Sequence, residues 1–261
     1  MGRGGAGKGW RFAATCMLAL WACTAWSDVP RTIERVKGSV LPIGTYEAAR
    51  SPQFVFLGTG FVVGDGRIVA TNAHVVPPVL DAERRESIVV VLPTPQGDGR
   101  FQFRGLKTLA TDESTDLALL KLEGEPMTAL RLLDSDSVRE GQEVLLTGYP
   151  IGAVLGPYPA THRGMVSAIT PIAIPQARAT ALDPHVVRRL AAGSLPVFQL
   201  DATVYPGNSG SPVYDPQSGE VMGIVNMVLV KSTKESVLKD PSGIAYAIPA
   251  KHLKALLEKV H

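Results

Sequence analysis

Cysteine is nearly absent, and the two that occur, Cys16 and Cys23, both fall in the first 27 residues. The rest of the chain has neither a disulfide nor a thiol nucleophile, which excludes a small cross-linked scaffold and any cysteine hydrolase. A chain of 261 residues can bury a sizeable core, as one large domain or two packed halves, and that core alone must hold the fold. Long apolar runs are scarce too. FAATCMLALWACTAW at 12–26 is 15 residues long, short of the ~20 that span a bilayer. Extended helical periodicity is rare. What the chain has instead is 26 glycines and 20 prolines, with 45% of its residues apolar. That is the composition of an ordered, turn-rich β protein.

The N-terminus stands apart. MGRGGAGKGWR carries Arg3, Lys8 and Arg11 with no acid, the apolar run follows, and Ala25 and Ser27 give a small-x-small pattern before Asp28. These three parts in this order predict a secretory signal peptide over residues 1–27. Export follows, to the periplasm of a bacterial envelope or beyond it. A lipid tether at Cys23 fits less well, because Trp21 sits poorly in the Leu20-Trp21-Ala22-Cys23 signal. Cleavage takes the 26 basic residues to 23, against 24 acidic ones, for a formal charge of −1. Without a basic excess there is no surface for nucleic acid. Nor is a stable membrane span expected.

Beyond the signal the chain reads as short β runs between turns. In the first half these are Thr32–Tyr46, Phe54–Val63, Ile68–Thr71, Ser87–Leu92, Phe101–Ala110 and Leu117–Leu122. In the second they are Glu143–Gly148, Gly164–Ile169, Val197–Leu200, Pro212–Tyr214, Val221–Val230 and Ile244–Ile248. Gly64-Asp65-Gly66 predicts a hairpin, since such residues take the positive φ of a tight turn. Many short strands with frequent turns predict a sandwich or barrels. Two helices are expected. Asp183–Ala192 has an N-cap aspartate followed by proline, and Pro249–Val260 places Leu253, Leu256, Leu257 and Val260 on one face.

The chemistry centres on YPGNSGSPVYD at 205–215, where Ser209 sits in a glycine-rich turn. A serine nucleophile needs a base and a group that orients the base. His74, in ATNAHVV, is flanked by small residues that leave room for an approaching side chain. Asp116, in TDLALLKL, enters a near-continuous apolar strand, where a carboxylate is costly to bury without a partner. The order His, Asp, Ser is one of the few known for this triad. Glycine at 207 permits the turn that aims the amides of Gly207 and Ser209 at one point, as an oxyanion hole requires.

GTGFVV (58–63), TNAHVV (71–76), DLALLKL (116–122), GYPIG (148–152), GMVSAI (164–169), GNSGSPV (207–213) and GIAYAIPA (243–250) follow in that order. Together, over about residues 33–257, they resemble the trypsin-like serine peptidases, in particular the bacterial HtrA/Deg type. The resemblance implies an all-β fold of two packed six-stranded antiparallel β-barrels with a C-terminal helix. One barrel falls in 28–136 and the other in 137–261, with the site between them. It implies that Asp116 orients His74, that His74 deprotonates Ser209, and that water hydrolyses an acyl-enzyme. Neither a metal nor an organic cofactor takes part. Proteins or unfolded polypeptides are the implied substrates, and assembly into a homo-oligomer stays open. Members of that type carry PDZ modules after the peptidase. This sequence runs out without one, so peptide capture by such a module is not expected.

The pattern departs at Ser211, where members of that type have glycine, a change expected to alter packing rather than the triad. GNSGSPV instead resembles the glutamyl endopeptidases of the V8 type, but Gly223–Met227 lacks the histidine those place in the pocket wall. Thr203, six residues before Ser209, is expected at the pocket floor, with Ile224, Val225 and Asn226 beside it. An uncharged floor and apolar walls predict cleavage after small or medium apolar residues. The longer 170–198 segment, with Arg178, Arg188 and Arg189, either gates the cleft or is a solvated insertion. A contrasting expectation keeps the fold and loses the chemistry: a silent relative that binds peptides or partners in the old cleft.

Overall fold

The computed structural model describes residues 28–93, 101–152, 156, 158–172, 195–226 and 243–260. The predicted signal peptide, the helix expected over Asp183–Ala192, the arginines of the 170–198 segment and residues 227–230 of the Val221–Val230 strand lie outside them.

Twelve strands close into two antiparallel barrels of six. Around the first run β1 (Val40–Tyr46), β2 (Phe54–Val63), β3 (Ile68–Thr71), β6 (Leu117–Leu122), β5 (Phe101–Asp112) and β4 (Ser87–Pro93). Around the second run β10 (Pro212–Tyr214), β11 (Val221–Val225), β12 (Ile244–Pro249), β9 (Leu195–Asp201), β8 (Ala160–Ile172) and β7 (Glu143–Gly148). Closure leaves no open sheet edge in either half. The predicted hairpin joins β2 to β3: Gly64 and Gly66 take φ of 63° and 87°, and Phe61 pairs with Ala70.

One expected strand is in part a helix. The sequence reading began β1 at Thr32, but Val29–Lys37 forms α1 and the strand starts at Val40. Asp28 caps this helix by accepting the amide of Arg31, and Pro30 occupies its first turn. Thr32 and Val36, four apart, are its buried face. The β-branched run Thr-Ile-x-x-Val suggests a strand locally, and the cap and tertiary packing override it. At the other end α2 (Ala250–Leu257) docks through Leu253, Leu256 and Leu257, the face expected from periodicity.

Each barrel has its own core, and a third cluster joins them. Leu41, Val62, Val69, Leu120 and Leu122 fill the first. Val144, Leu146, Phe198, Leu200 and Met222 fill the second. The joining cluster takes Phe61, Leu117 and Leu119 from one barrel and Tyr149, Tyr214, Ile224 and Leu253 from the other. Each large apolar side chain buried this way contributes roughly 1.5–3 kcal/mol. The barrels therefore meet through a core rather than a mobile seam, and the elements along that junction are held in fixed register.

Two histidines outside the His74–Asp116 pair make stability depend on pH. His162 on β8 and His252 on α2 are half-buried, and neither Nε2 has a partner among the described residues. Burial holds both below the ordinary imidazole value of 6.5, with Lys251 adding to the effect at His252. A depressed folded value means that below pH 6.5 the unfolded chain takes up protons that the folded chain refuses. Stability is therefore full above that value and falls as the pH drops through it. Thermal melts at about pH 7.5 and about pH 5.5 should show a lower midpoint at the acid pH. The drop should shrink in the double variant His162→Gln, His252→Gln.

Candidate active site

His74 and Asp116 are brought together by neighbouring strands. After β3 the chain makes one turn of 3-10 helix, Ala73–Val75, which carries His74 over the start of β6. Asp116 has φ of 54°, a left-handed conformation that aspartate tolerates better than most residues. That turn presents its backbone carbonyl to the Ala73 amide at 3.0 Å and to Asn72 Nδ2 at 3.1 Å. Its carboxylate faces the histidine. Oδ1 accepts the His74 amide at 2.9 Å, and Oδ2 lies 2.6 Å from His74 Nδ1. An ionised carboxylate only accepts, so Nδ1 carries the proton and Nε2 keeps a free lone pair. Asp116 is 7% exposed, and its donors offset the cost of burying the charge.

A third donor to that carboxylate comes from the second barrel. Asn226, fully buried just after β11, donates from Nδ2 to Asp116 Oδ2 at 2.8 Å. The sequence reading placed Asn226 beside the specificity pocket. Its side chain bridges to Asp116 across the junction. A polar residue closing the apolar run VMGIV carried the same signal that singled out Asp116, a polar group that must find a partner. Asn72 was missed for the same reason.

Ser209 lies in a turn whose carbonyls from Tyr205 to Ser209 are all engaged. Pro206 O accepts the Ile151 amide at 2.7 Å, and Asn208 O accepts the Ser211 amide at 3.0 Å. A trans peptide points its C=O and N–H in opposite directions. Holding those two carbonyls therefore aims the Gly207 and Ser209 amides away from them. Neither amide donates a hydrogen bond among the described residues, while those of Asn208, Gly210 and Ser211 all do. Two neighbouring free donors in a largely buried turn are unusual. Gly207 takes φ of 102°, which its lack of a Cβ allows.

The nucleophile turn and the histidine turn meet across Gly58 on β2. A Cβ there would sit 2.8 Å from Val75 Cγ2 and 3.2 Å from Ser209 O, so only glycine lets the two approach. Thr203 is exposed, whereas Ile224 and Val225 are fully buried and pack into the joining core and the second core. Ser211 is also fully buried, in space left by Gly148, whose Cβ would lie 1.9 Å from Ser211 Oγ. Among the described residues no three His, Cys, Asp or Glu side chains are grouped to hold a metal ion.

Comparison with known proteins agrees with the two-barrel fold. The profile of the trypsin-like peptidase domain matches residues 58–224. A probable periplasmic serine endoprotease, DegP-like, of Marinomonas sp. is 30% identical over 224 residues, covering 84% of this chain and 38% of that protein. Its namesake in Pseudomonas putida strain GB-1 is 33% identical over 193 residues, covering 74% of this chain and 32% of that one. The chain thus spans well under half the length of these relatives. Among solved structures, an HtrA-type protease with a tripeptide superposes with a TM-score of 0.61 at 23% identity, over 89% of this chain and 63% of that one. The serine endoprotease from Yersinia pestis gives 0.60 at 22%, over 89% and 66%. Both share the two-barrel fold. By its sequence match over more than half its length, this chain belongs to the trypsin-like peptidase domain family.

Proposed function

We propose that the chain is an exported serine endopeptidase acting through His74, Asp116 and Ser209. The observation that carries this reading is the pair of amides at Gly207 and Ser209, in one turn with the serine, that have no partner among the described residues. Ser209 Oγ attacks the carbonyl carbon of a peptide bond and passes its proton to His74 Nε2. The oxyanion that forms takes up both amides, a contact worth about 10²–10³ in rate per donor. His74 then protonates the leaving amine, the acyl-enzyme remains, and a water deprotonated by the same nitrogen releases it. Asp116 keeps the imidazole in the tautomer that makes Nε2 the base and stabilises the imidazolium. The Ser209 hydroxyl has no hydrogen-bond partner among the described residues, so on this reading its bond to His74 tightens when substrate fills the cleft.

Export is supported by the predicted leader and by the periplasmic relatives. No helix among the described residues is long and apolar enough to cross a membrane. For specificity, Thr203 supplies an uncharged floor, and Ile224, Val225 and Asn226 bring no free charge to the wall. The expected product profile from a peptide library incubated with residues 28–261 is therefore small or medium apolar residues before the cleaved bond. A profile dominated by glutamate would favour the V8-type alternative, and one dominated by arginine or lysine would overturn both. Fluorophosphonate labelling compared with the Ser209→Ala variant separates an enzyme from a silent peptide-binding relative.

A further inference from the structure

Thr59 is the second residue of GTGFVV on β2, in the first barrel, and is fully buried. Most of its hydrogen bonds nevertheless reach the second. Its amide donates to Ser209 O at 2.9 Å. Its hydroxyl donates to Gly207 O at 2.7 Å and accepts the Tyr149 amide at 3.1 Å. Its carbonyl accepts the hydroxyl of Thr71, on β3, at 2.7 Å. A hydroxyl has one proton. Because the Tyr149 amide occupies it as an acceptor, that proton is committed to the Gly207 carbonyl.

The consequence falls on the two free amides. Glycine at φ of 102° has wide conformational freedom, so nothing intrinsic fixes which way the peptides on either side of Gly207 face. The preceding peptide is held at Pro206 O by Ile151, and the following one at Gly207 O by Thr59 Oγ1. Past the nucleophile, the Ser209 carbonyl is held by the Thr59 amide. One residue thus grips the turn on both sides of Asn208. The close approach this needs is provided by glycines: a Cβ at Gly210 would lie 2.0 Å from Thr59 O and 2.4 Å from Thr71 Oγ1.

We infer that Thr59 is a positioning residue for the oxyanion donors, the first barrel's hold on the catalytic turn of the second. The donors belong wholly to one barrel, and the other braces the peptides that flank them, at Gly207 O and Ser209 O. This rests on the endopeptidase reading and deepens it.

The test is steady-state cleavage of a fluorogenic apolar peptide by wild type and by Thr59→Val, Thr59→Ser and Thr59→Cys, with inhibition by a peptidyl boronate measured in parallel. Valine matches the shape of threonine and deletes the hydroxyl. It is expected to lower kcat about 10- to 100-fold, a part of the 10²–10³ lost with a whole donor. KM should stay within about threefold, and boronate affinity should fall with kcat, because both report charge stabilisation rather than substrate binding. Serine restores the hydroxyl and should restore kcat, with cysteine between. A folded valine variant with wild-type kcat overturns the inference. So does a serine variant as impaired as valine, since the methyl and not the hydroxyl would then matter. If valine does not fold, cysteine decides, and full kcat there overturns it. Wild type that neither cleaves nor labels sinks the endopeptidase reading itself, a result distinguishable from any of these.

Discussion

Exchange of Ser209 for alanine is expected to lower kcat by on the order of 10⁴–10⁶ and to abolish labelling by a fluorophosphonate. The fold should survive the change. The hydroxyl has no hydrogen-bond partner among the described residues, and the backbone bond from the Thr59 amide to Ser209 O does not involve the side chain. Residue 209 has no positive φ, so alanine enters without strain. The thermal midpoint should accordingly match wild type, corresponding to a change within about 0.5 kcal/mol. Cleavage should not fall to the uncatalysed rate, because the amides of Gly207 and Ser209 remain to stabilise a tetrahedral intermediate formed by water. Persistent labelling of the alanine variant would remove Ser209 from the mechanism. Unlabelled wild type would point instead to a silent binding domain.

The sequence made some of this legible because the signals were local. Gly64-Asp65-Gly66 dictates a hairpin through the φ values that glycine allows, and the hairpin is there. The face of α2 could be read from spacing alone. The chemistry-bearing residues stood out because polar groups in apolar strands need partners. What stayed hidden depends on contacts between distant parts of the chain. Asn226 lies 110 residues from Asp116, and nothing in VMGIVNM says which group its amide meets. Thr59 looks like an ordinary strand residue, and its grip on residues 207 and 209 exists only once both barrels have closed. At α1 the local pattern pointed the wrong way, since three β-branched residues outvoted a capping aspartate that only tertiary packing makes decisive.

Asp116→Asn is expected to cost about 10⁴ in kcat, the scale on which a wrongly set imidazole tautomer acts. The wild-type carboxylate accepts from three donors, the His74 amide, His74 Nδ1 and Asn226 Nδ2. An asparagine offers one oxygen and one NH₂ in the same space. If its NH₂ turns toward His74 Nδ1, the imidazole must present a lone pair there and move its proton to Nε2. The base then points its hydrogen at Ser209 and cannot accept one. In that place the NH₂ also faces Asn226, which shares Oδ2 with the histidine in the wild type, whereas an NH₂ turned to the Oδ1 place meets the backbone amide hydrogen of His74. The first arrangement keeps the fixed backbone donor of His74 paired, and the Asn226 amide can rotate to offer its oxygen to the new NH₂, so it should prevail and the variant should fold with little change in KM. Unsatisfied donors at this site would cost about 1–3 kcal/mol each, offset by removal of a buried charge. Thermal melts should therefore move far less than kcat. Retention of kcat within about tenfold of wild type would mean that Asp116 does not set the tautomer. Its five hydrogen bonds, two at the carbonyl and three at the carboxylate, would then serve the turn that carries it rather than the base.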